Sequence, residues 1–86
     1  MKVSFHGSVQ AYTSGKTSLD LEGAQSVRML IDLLSGQYGA RFAEYLLGDG
    51  TCFFLVNGSS IIQTGGLDTP LNQGDRVEIL PFVDGG

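Results

Sequence analysis

The hydrophobic pattern changes along the chain from the period of strands to that of a helix and back, and this limits the fold more than any other feature. Before residue 27 and after residue 50 the pattern is typical of β-strands: apolar and polar side chains alternate over residues 2–6, 18–22 and 75–80, and residues 51–56 form a mostly apolar run. Between these stretches, apolar side chains recur at the spacing of one helix face, at Val27, Leu30, Ile31, Leu34 and Tyr38. Ser26 stands where an N-cap belongs, and Gly36 and Gly39 are candidate helix ends. One main helix between groups of strands predicts an α+β protein.

Five strands are predicted around this helix, over residues 2–6, 18–22, 51–56, 60–62 and 75–80. Residues 7–17 form a turn-rich connection, and residues 41–47 a short second helix. Asn57-Gly58 is typical of a type I′ hairpin turn, because both residues tolerate positive φ. This order predicts a β-grasp (ubiquitin-like) fold. Its mixed sheet would have about five strands, with the last parallel to the first at the centre and the helices on one face.

Length and composition narrow the class of protein. The 86 residues predict one β-grasp domain over residues 1–81, followed by a flexible tail over residues 82–86 that ends in Gly-Gly. The net charge of −4 and the five scattered basic residues argue against a nucleic-acid partner. Cys52 is alone, so we expect neither an internal disulfide nor a metal site. The sequence shows no signal-peptide pattern and no membrane-spanning apolar run, which predicts a cytoplasmic protein without a membrane partner.

The sequence ends Pro81-Phe82-Val83-Asp84-Gly85-Gly86, directly after the fifth predicted strand. Glycine has no Cβ, so the two final residues allow another backbone to approach closely. We expect such a tail to enter a narrow cleft and to present its carboxylate to another protein. The alternative is an ordinary frayed chain end, since termini are often poorly ordered.

Three segments before this ending carry a family resemblance. Residues 55–58 (Leu-Val-Asn-Gly), 66–71 (Gly-Leu-Asp-Thr-Pro-Leu) and 74–81 (Gly-Asp-Arg-Val-Glu-Ile-Leu-Pro), together with Gly85-Gly86, resemble the ubiquitin-like sulfur carriers. The resemblance is closest to the MoaD branch, the small subunit of molybdopterin synthase, and more distant to ThiS. Residues 8–12 replace the Arg-Glu pair usual after the first MoaD strand, and Phe82 and Asp84 depart from the usual tail. A MoaD-like relative that serves another sulfur-transfer route is therefore an alternative.

The resemblance implies that partner proteins perform chemistry on the carboxyl end of the chain. A MoeB/ThiF-like adenylating enzyme would use ATP to activate Gly86 as an acyl-adenylate, and a persulfide would convert it to a thiocarboxylate. Gly86 would carry the sulfur, and Gly85 would give clearance. The tail residues that would dock on a partner are Phe82, Val83 and Asp84. A MoaE-like large subunit, or another sulfur-acceptor enzyme, would receive the sulfur. The carrier itself is expected to have no catalytic residue, metal or bound cofactor.

Other functions remain open at this point. In a ubiquitin-like protein modifier, the same activated Gly86 would form an isopeptide bond with a lysine. A ThiS-like carrier would serve a different sulfur-transfer pathway. A third possibility is a non-catalytic β-grasp interaction module with an inert tail.

Strand alternation indicates a candidate partner surface. Phe53 and Leu55 point to one side of the third predicted strand, and Phe54 and Val56 point to the other. We expect one pair to pack on the helix and the other to be exposed, since an exposed apolar patch often marks an interface. The residues that would extend such a patch are Leu80 and Phe82. The alternative is that both pairs are covered as ordinary core.

Three further sequence features do not indicate a catalytic or binding role. His6 has no obvious acid or nucleophile partner, so a surface or packing role is expected. Cys52 is expected to act as a small hydrophobic residue. Residues 14–17 (Ser-Gly-Lys-Thr) are similar to the end of a phosphate-binding loop, but Gln10 replaces the required glycine and a strand follows, so we expect a structural turn.

Overall fold

The computed structural model describes residues 1–48 and 52–82. The strands are β1 (Lys2–Phe5), β2 (Ser18–Asp20), β3 (Cys52–Val56), β4 (Ser59–Ser60) and β5 (Arg76–Pro81). The α-helices are α1 (Val27–Tyr38), α2 (Ala40–Leu47) and α3 (Ile61–Thr64). Two short 3-10 helices cover Gly7–Tyr12 and Gly66–Asp68.

The described strands form one mixed sheet in the order β2-β1-β5-β3-β4. β1 and β5 are parallel, with Lys2 opposite Arg76 and Phe5 opposite Ile79, and the other neighbours are antiparallel. The first and last strands therefore meet at the centre of the sheet, with α1 and α2 on one side. This arrangement confirms the predicted β-grasp fold.

The start and end of α1 follow from local chemistry. The Ser26 hydroxyl accepts a hydrogen bond from the Met29 N–H at 3.2 Å, which satisfies one of the free donors of the first turn. The helix ends at Gly39, whose φ of 105° is disfavoured for residues with a Cβ. The residues that α1 buries against the sheet are Val27, Leu30, Ile31 and Leu34. The predicted N-cap and buried face are confirmed, and of the two candidate ends Gly39 ends the helix whereas Gly36 lies within it.

The core lies between the sheet and the two longer helices. β1 contributes Val3 and Phe5, and β5 contributes Val77 and Ile79. An aromatic cluster closes one end of this core: Phe5, Tyr12, Tyr38, Phe42 and Tyr45. The rings of Tyr12 and Tyr45 stack with centroids 4.6 Å apart. This cluster fixes α2 against the 3-10 helix that follows β1.

The predicted fourth strand is present, but it covers Ser59–Ser60 rather than residues 60–62. The strand ends at Ser60, and Ile61–Thr64 forms the short helix α3, in which the Ser60 hydroxyl accepts from the Ile62 N–H at 3.2 Å. Ile61 is 8% exposed and Ile62 is 84% exposed. Serine capping and burial of the first isoleucine favour a helical turn over a longer edge strand.

Two other boundaries differ from the prediction. The second strand ends at Asp20, and Leu21 continues beside the chain start through one hydrogen bond, from its N–H to the Met1 carbonyl at 2.9 Å. The connection over residues 7–17 contains a 3-10 helix that buries Val9 completely. The connection therefore supplies part of the core.

Candidate functional site

The side of the sheet opposite the helices, called the open face below, brings the candidate residues together. Along β5, Val77 and Ile79 are fully buried in the core, so the alternate residues Arg76, Glu78 and Leu80 face the other way. Along β1, the same alternation places Lys2 and Ser4 on the open face. The open face is thus built mainly from the two central strands and β3.

The structure divides the candidate patch of the third strand. Phe54 is 3% exposed and belongs to the core, and Val56 packs against the core from the same side. These two residues are therefore removed from the candidate surface, because the helical layer covers them. Phe53 and Leu55 lie on the open face opposite Leu80 and Glu78.

The apolar part of the open face, called the open patch, consists of Phe53, Leu55, Leu80 and Phe82. Phe53, Leu55 and Leu80 are half-buried, and Phe82 is 60% exposed. The rings of Phe53 and Phe82 meet edge to face, with centroids 6.3 Å apart. Phe53 and Leu55 are thus half-buried rather than fully exposed, because neighbouring strands cover part of each side chain.

The polar part of the open face adjoins this patch. A recess of about 260 Å³ lies there, called the charged recess, and its lining residues are Lys2, Ser4, Gly58, Arg76 and Glu78. His6, at the end of β1, approaches Glu78 with its Nε2 atom 3.1 Å from the Glu78 Oε1 atom. No local sequence pattern indicates this pair, because the two residues are 72 positions apart and meet only through the parallel register of β1 and β5.

The turn between β3 and β4 is joined to the start of β5 by hydrogen bonds. Asn57 and Gly58 have φ values of 51° and 86°, in agreement with the predicted type I′ turn. The Asn57 side chain accepts from the Arg76 N–H at 2.9 Å and donates to the Asp75 carboxylate at 3.0 Å. Asp75 also accepts from the Asn72 N–H at 2.8 Å. Hydrogen bonds from Asn57 and then from Asn72 hold the pKa of Asp75 below its ordinary value.

The tail begins at the centre of the sheet. β5 ends at Pro81, which is paired with Cys52 of β3, and Phe82 follows. The tail residues named from the sequence that lie outside the described residues are Val83, Asp84, Gly85 and Gly86. Because β5 lies between β1 and β3, the first tail residue, Phe82, lies at the open patch.

The described parts of the chain offer little else for chemistry. Residues 1–48 and 52–82 contain no group of three or more His, Cys, Asp or Glu side chains placed to hold a metal ion. Among the helices within these ranges, none has the length and apolar character that crossing a membrane requires.

Fold and open face together define a ubiquitin-like β-grasp protein. The model of the ThiS family matches residues 3–86, so the chain belongs to the ThiS family of ubiquitin-like sulfur carriers. Members of this family are small carrier proteins rather than catalysts. A search of curated proteins gave no match.

Solved structures agree with this assignment. CysO from Mycobacterium tuberculosis is 27% identical, with 95% of this chain and 98% of that chain covered and a TM-score of 0.83. CysO in the BexX/CysO complex from Amycolatopsis orientalis is 26% identical, with coverages of 99% and 98% and a TM-score of 0.82. The small archaeal modifier protein SAMP1 from Methanosarcina acetivorans is 29% identical, with coverages of 99% and 94% and a TM-score of 0.78.

Proposed function

We propose that this protein carries sulfur as a thiocarboxylate on Gly86. The observation that carries the proposal is the family match, which extends to residue 86 and so includes Gly85 and Gly86. The position of β5 supports it, because the central strand leads directly toward these residues. The protein supplies the carboxyl group and a docking surface, and its partners supply the catalysis.

The proposed reaction has three steps. A carboxylate oxygen of Gly86 attacks the α-phosphorus of ATP, an acyl-adenylate forms and pyrophosphate leaves. The terminal sulfur of a persulfide then attacks the acyl carbon and AMP leaves. Cleavage of the sulfur–sulfur bond by a thiol, which is oxidised to a disulfide, leaves the thiocarboxylate. Glycine suits this role because no side chain hinders the attacked carbon.

The open patch and the tail have separate roles in this proposal. The open patch binds the MoeB/ThiF-like adenylating enzyme, called the activating enzyme below, while Phe82, Val83 and Asp84 guide the end of the chain into its cleft. Apolar side chains next to the segment that reacts contribute binding energy without entering the reaction. Asp84 brings a negative charge toward the ATP phosphates, so we propose that the activating enzyme faces it with Lys or Arg.

The sulfur acceptor is proposed from the sequence resemblance. The Val-Asn-Gly, Gly-Asp-Arg-Val and Gly-Gly motifs favour a MoaD-like role, with a MoaE-like large subunit and molybdopterin as the end product. Similarity to CysO, which was solved in complex with BexX, supports a protein acceptor and allows a route other than molybdopterin. The MoaD-like role is tested by adding purified MoaE-like subunit and molybdopterin precursor to the protein that carries the thiocarboxylate. Only a MoaD-like carrier is expected to transfer its sulfur in this mixture.

A second candidate function is protein modification. It is favoured by the 29% identity to a protein described as a small archaeal modifier. In this case the lysine ε-amine attacks the activated Gly86 carbonyl, and an isopeptide bond replaces the acyl-phosphate bond as AMP leaves.

Intact-mass measurement separates these functions. The protein is incubated with ATP, the activating enzyme of its own organism and a persulfide donor. Exchange of one oxygen for sulfur in the wild type, and its absence in a variant that lacks Gly86, supports the carrier. Lysine-linked conjugates in cell lysate support the modifier. An unchanged mass without conjugates, or a natural protein that extends beyond Gly86, contradicts both.

A further inference from the structure

The charged recess places two cations side by side. Lys2 and Arg76 are direct register partners on the parallel strands β1 and β5, and both side chains are exposed on the open face. Like charges directly opposite each other weaken a sheet. The arrangement is also unusual for a chain with net charge −4, because two of its five basic residues meet at one place.

Among the described residues, neither Lys2 nor Arg76 forms an ion pair with a carboxylate. Glu78 lines the recess, but its Oε1 atom is 3.1 Å from the His6 Nε2 atom. Asp75 receives its hydrogen bonds from Asn57 and Asn72. Asp20 is the register partner of Lys2 on the outer strand β2, yet among the described residues no ion pair joins the two. β1 separates Asp20 from Arg76.

The backbone around Arg76 is held in place. The Arg76 N–H donates to the Asn57 side chain at 2.9 Å, and the Arg76 carbonyl accepts from the Asn57 N–H at 2.8 Å. Gly58 of the same turn forms one wall of the recess. A guanidinium group on such a fixed base can present two parallel donors to a planar carboxylate.

The recess is continuous with the open patch. Arg76, Glu78 and Leu80 alternate along β5 on one side, so Arg76 and Leu80 lie about 13 Å apart at the rise of a strand. A protein that covers the open patch therefore reaches the recess within an interface of ordinary size.

We infer that the charged recess binds a carboxylate side chain of the activating enzyme, with Arg76 as the main contact and Lys2 beside it. The inference rests on the proposed function, since it names the chemistry of the partner at the same surface. A rim charge of this kind steers association and fixes the docking register more than it adds affinity. Binding of the adenylating enzyme should therefore depend on ionic strength.

Charge reversal tests the inference. Steady-state activation, followed by ATP–pyrophosphate exchange, is compared for the wild type, R76E, R76K and K16E. Lys16 is exposed in the loop before β2, so K16E changes the net charge equally at a distant place. We expect R76E to raise the KM for the carrier about tenfold or more, R76K to be intermediate, and K16E to stay within about twofold. Thermal unfolding checks that each variant is folded.

Two further measurements distinguish a docking role of Arg76 from a purely structural one. The KM of the wild type should rise with salt and that of R76E should rise much less. A zero-length carbodiimide cross-linker should join Lys2 to an Asp or Glu of the activating enzyme more efficiently than Lys16. If R76E has the KM of the wild type, or if Lys2 and Lys16 cross-link equally, the inference is overturned. Exchange of one oxygen for sulfur on Gly86, measured by intact mass, would still support the carrier function, so the two failures are distinguishable.

Discussion

The ring of Phe53 meets the ring of Phe82 edge to face, with centroids 6.3 Å apart and planes at 86°. Phe53 belongs to β3, whereas Phe82 directly follows the central strand β5. Edge-to-face pairs contribute roughly 0.5–1.5 kcal/mol beyond the burial of their area. The contact therefore holds the first tail residue against the open patch and sets the direction in which the chain leaves the sheet.

Loss of this aromatic contact is expected to impair activation by the adenylating enzyme. In Phe82→Ala the open patch loses its most exposed side chain, and the KM for the carrier should rise about tenfold, because apolar anchors dominate interfaces of this kind. The matched control is Ile62→Ala, which removes an even more exposed apolar side chain, on α3. Pyrophosphate exchange measures both. Equal effects of the two variants would contradict a specific role for the open patch.

Removal of the α1 N-cap is expected to lower stability without affecting docking. In Ser26→Ala the Met29 N–H loses its 3.2 Å hydrogen bond, which should cost about 1 kcal/mol and lower the melting temperature by about 4–8 °C. Ser26→Asn retains a capping oxygen and serves as the control. Calorimetry that shows the same loss in both variants would mean that the cap is not the cause.

Asp75 is expected to make stability depend on pH. Hydrogen bonds from Asn57 and then Asn72 lower the pKa of Asp75 from its ordinary value of 3.8. A group whose pKa is lower in the folded state stabilises it above the unfolded pKa, and this contribution is lost as pH falls through the folded pKa. Asp75→Asn should therefore destabilise the protein at neutral pH and less at strongly acidic pH. Urea unfolding of both proteins from neutral to strongly acidic pH tests this prediction, because the difference between their free energies of unfolding should shrink as the pH falls. A difference that stays constant would contradict it.

The hydroxyl of Tyr38 is expected to contribute nothing favourable to folding. It is buried and, within the described residues, has no hydrogen-bond partner, while its ring packs against Phe5 and Phe42 at 5.9 and 5.8 Å. Tyr38→Phe should be neutral or should stabilise by about 1 kcal/mol, because an unpaired buried hydroxyl is costly. Tyr38→Ala removes the ring and should cost about 3–5 kcal/mol. Denaturant unfolding that shows a clear loss for Tyr38→Phe would reveal a partner for the hydroxyl.

The sequence predicted those elements whose signals are local. Ser26, the apolar face of α1 and the Asn57-Gly58 turn were identified because capping, periodicity and positive φ are written in neighbouring residues. The helix at residues 61–64 was missed because two adjacent isoleucines are equally compatible with a strand and with a helical turn. Burial of Ile61 in the folded protein favours the helical turn.

The candidate site was predictable only in part, for the same reason. Alternation along β3 separated Phe53 from Phe54 but could not say which of them faces the helices. The pairs His6–Glu78 and Lys2–Arg76 depend on the parallel register of strands from opposite ends of the chain. No local pattern specifies that register, so the charged recess emerged only from the folded sheet.

The parallel pairing of β1 with β5 joins the first and last strands in the middle of the sheet. An incomplete chain, stalled or cleaved before residue 76, lacks the strand on which both halves of the sheet close. The residues proposed to be activated follow that strand in synthesis. Under the proposed function, a chain that has reached Gly86 already contains the last strand of the sheet, so an unfinished copy would not present the residue that is activated.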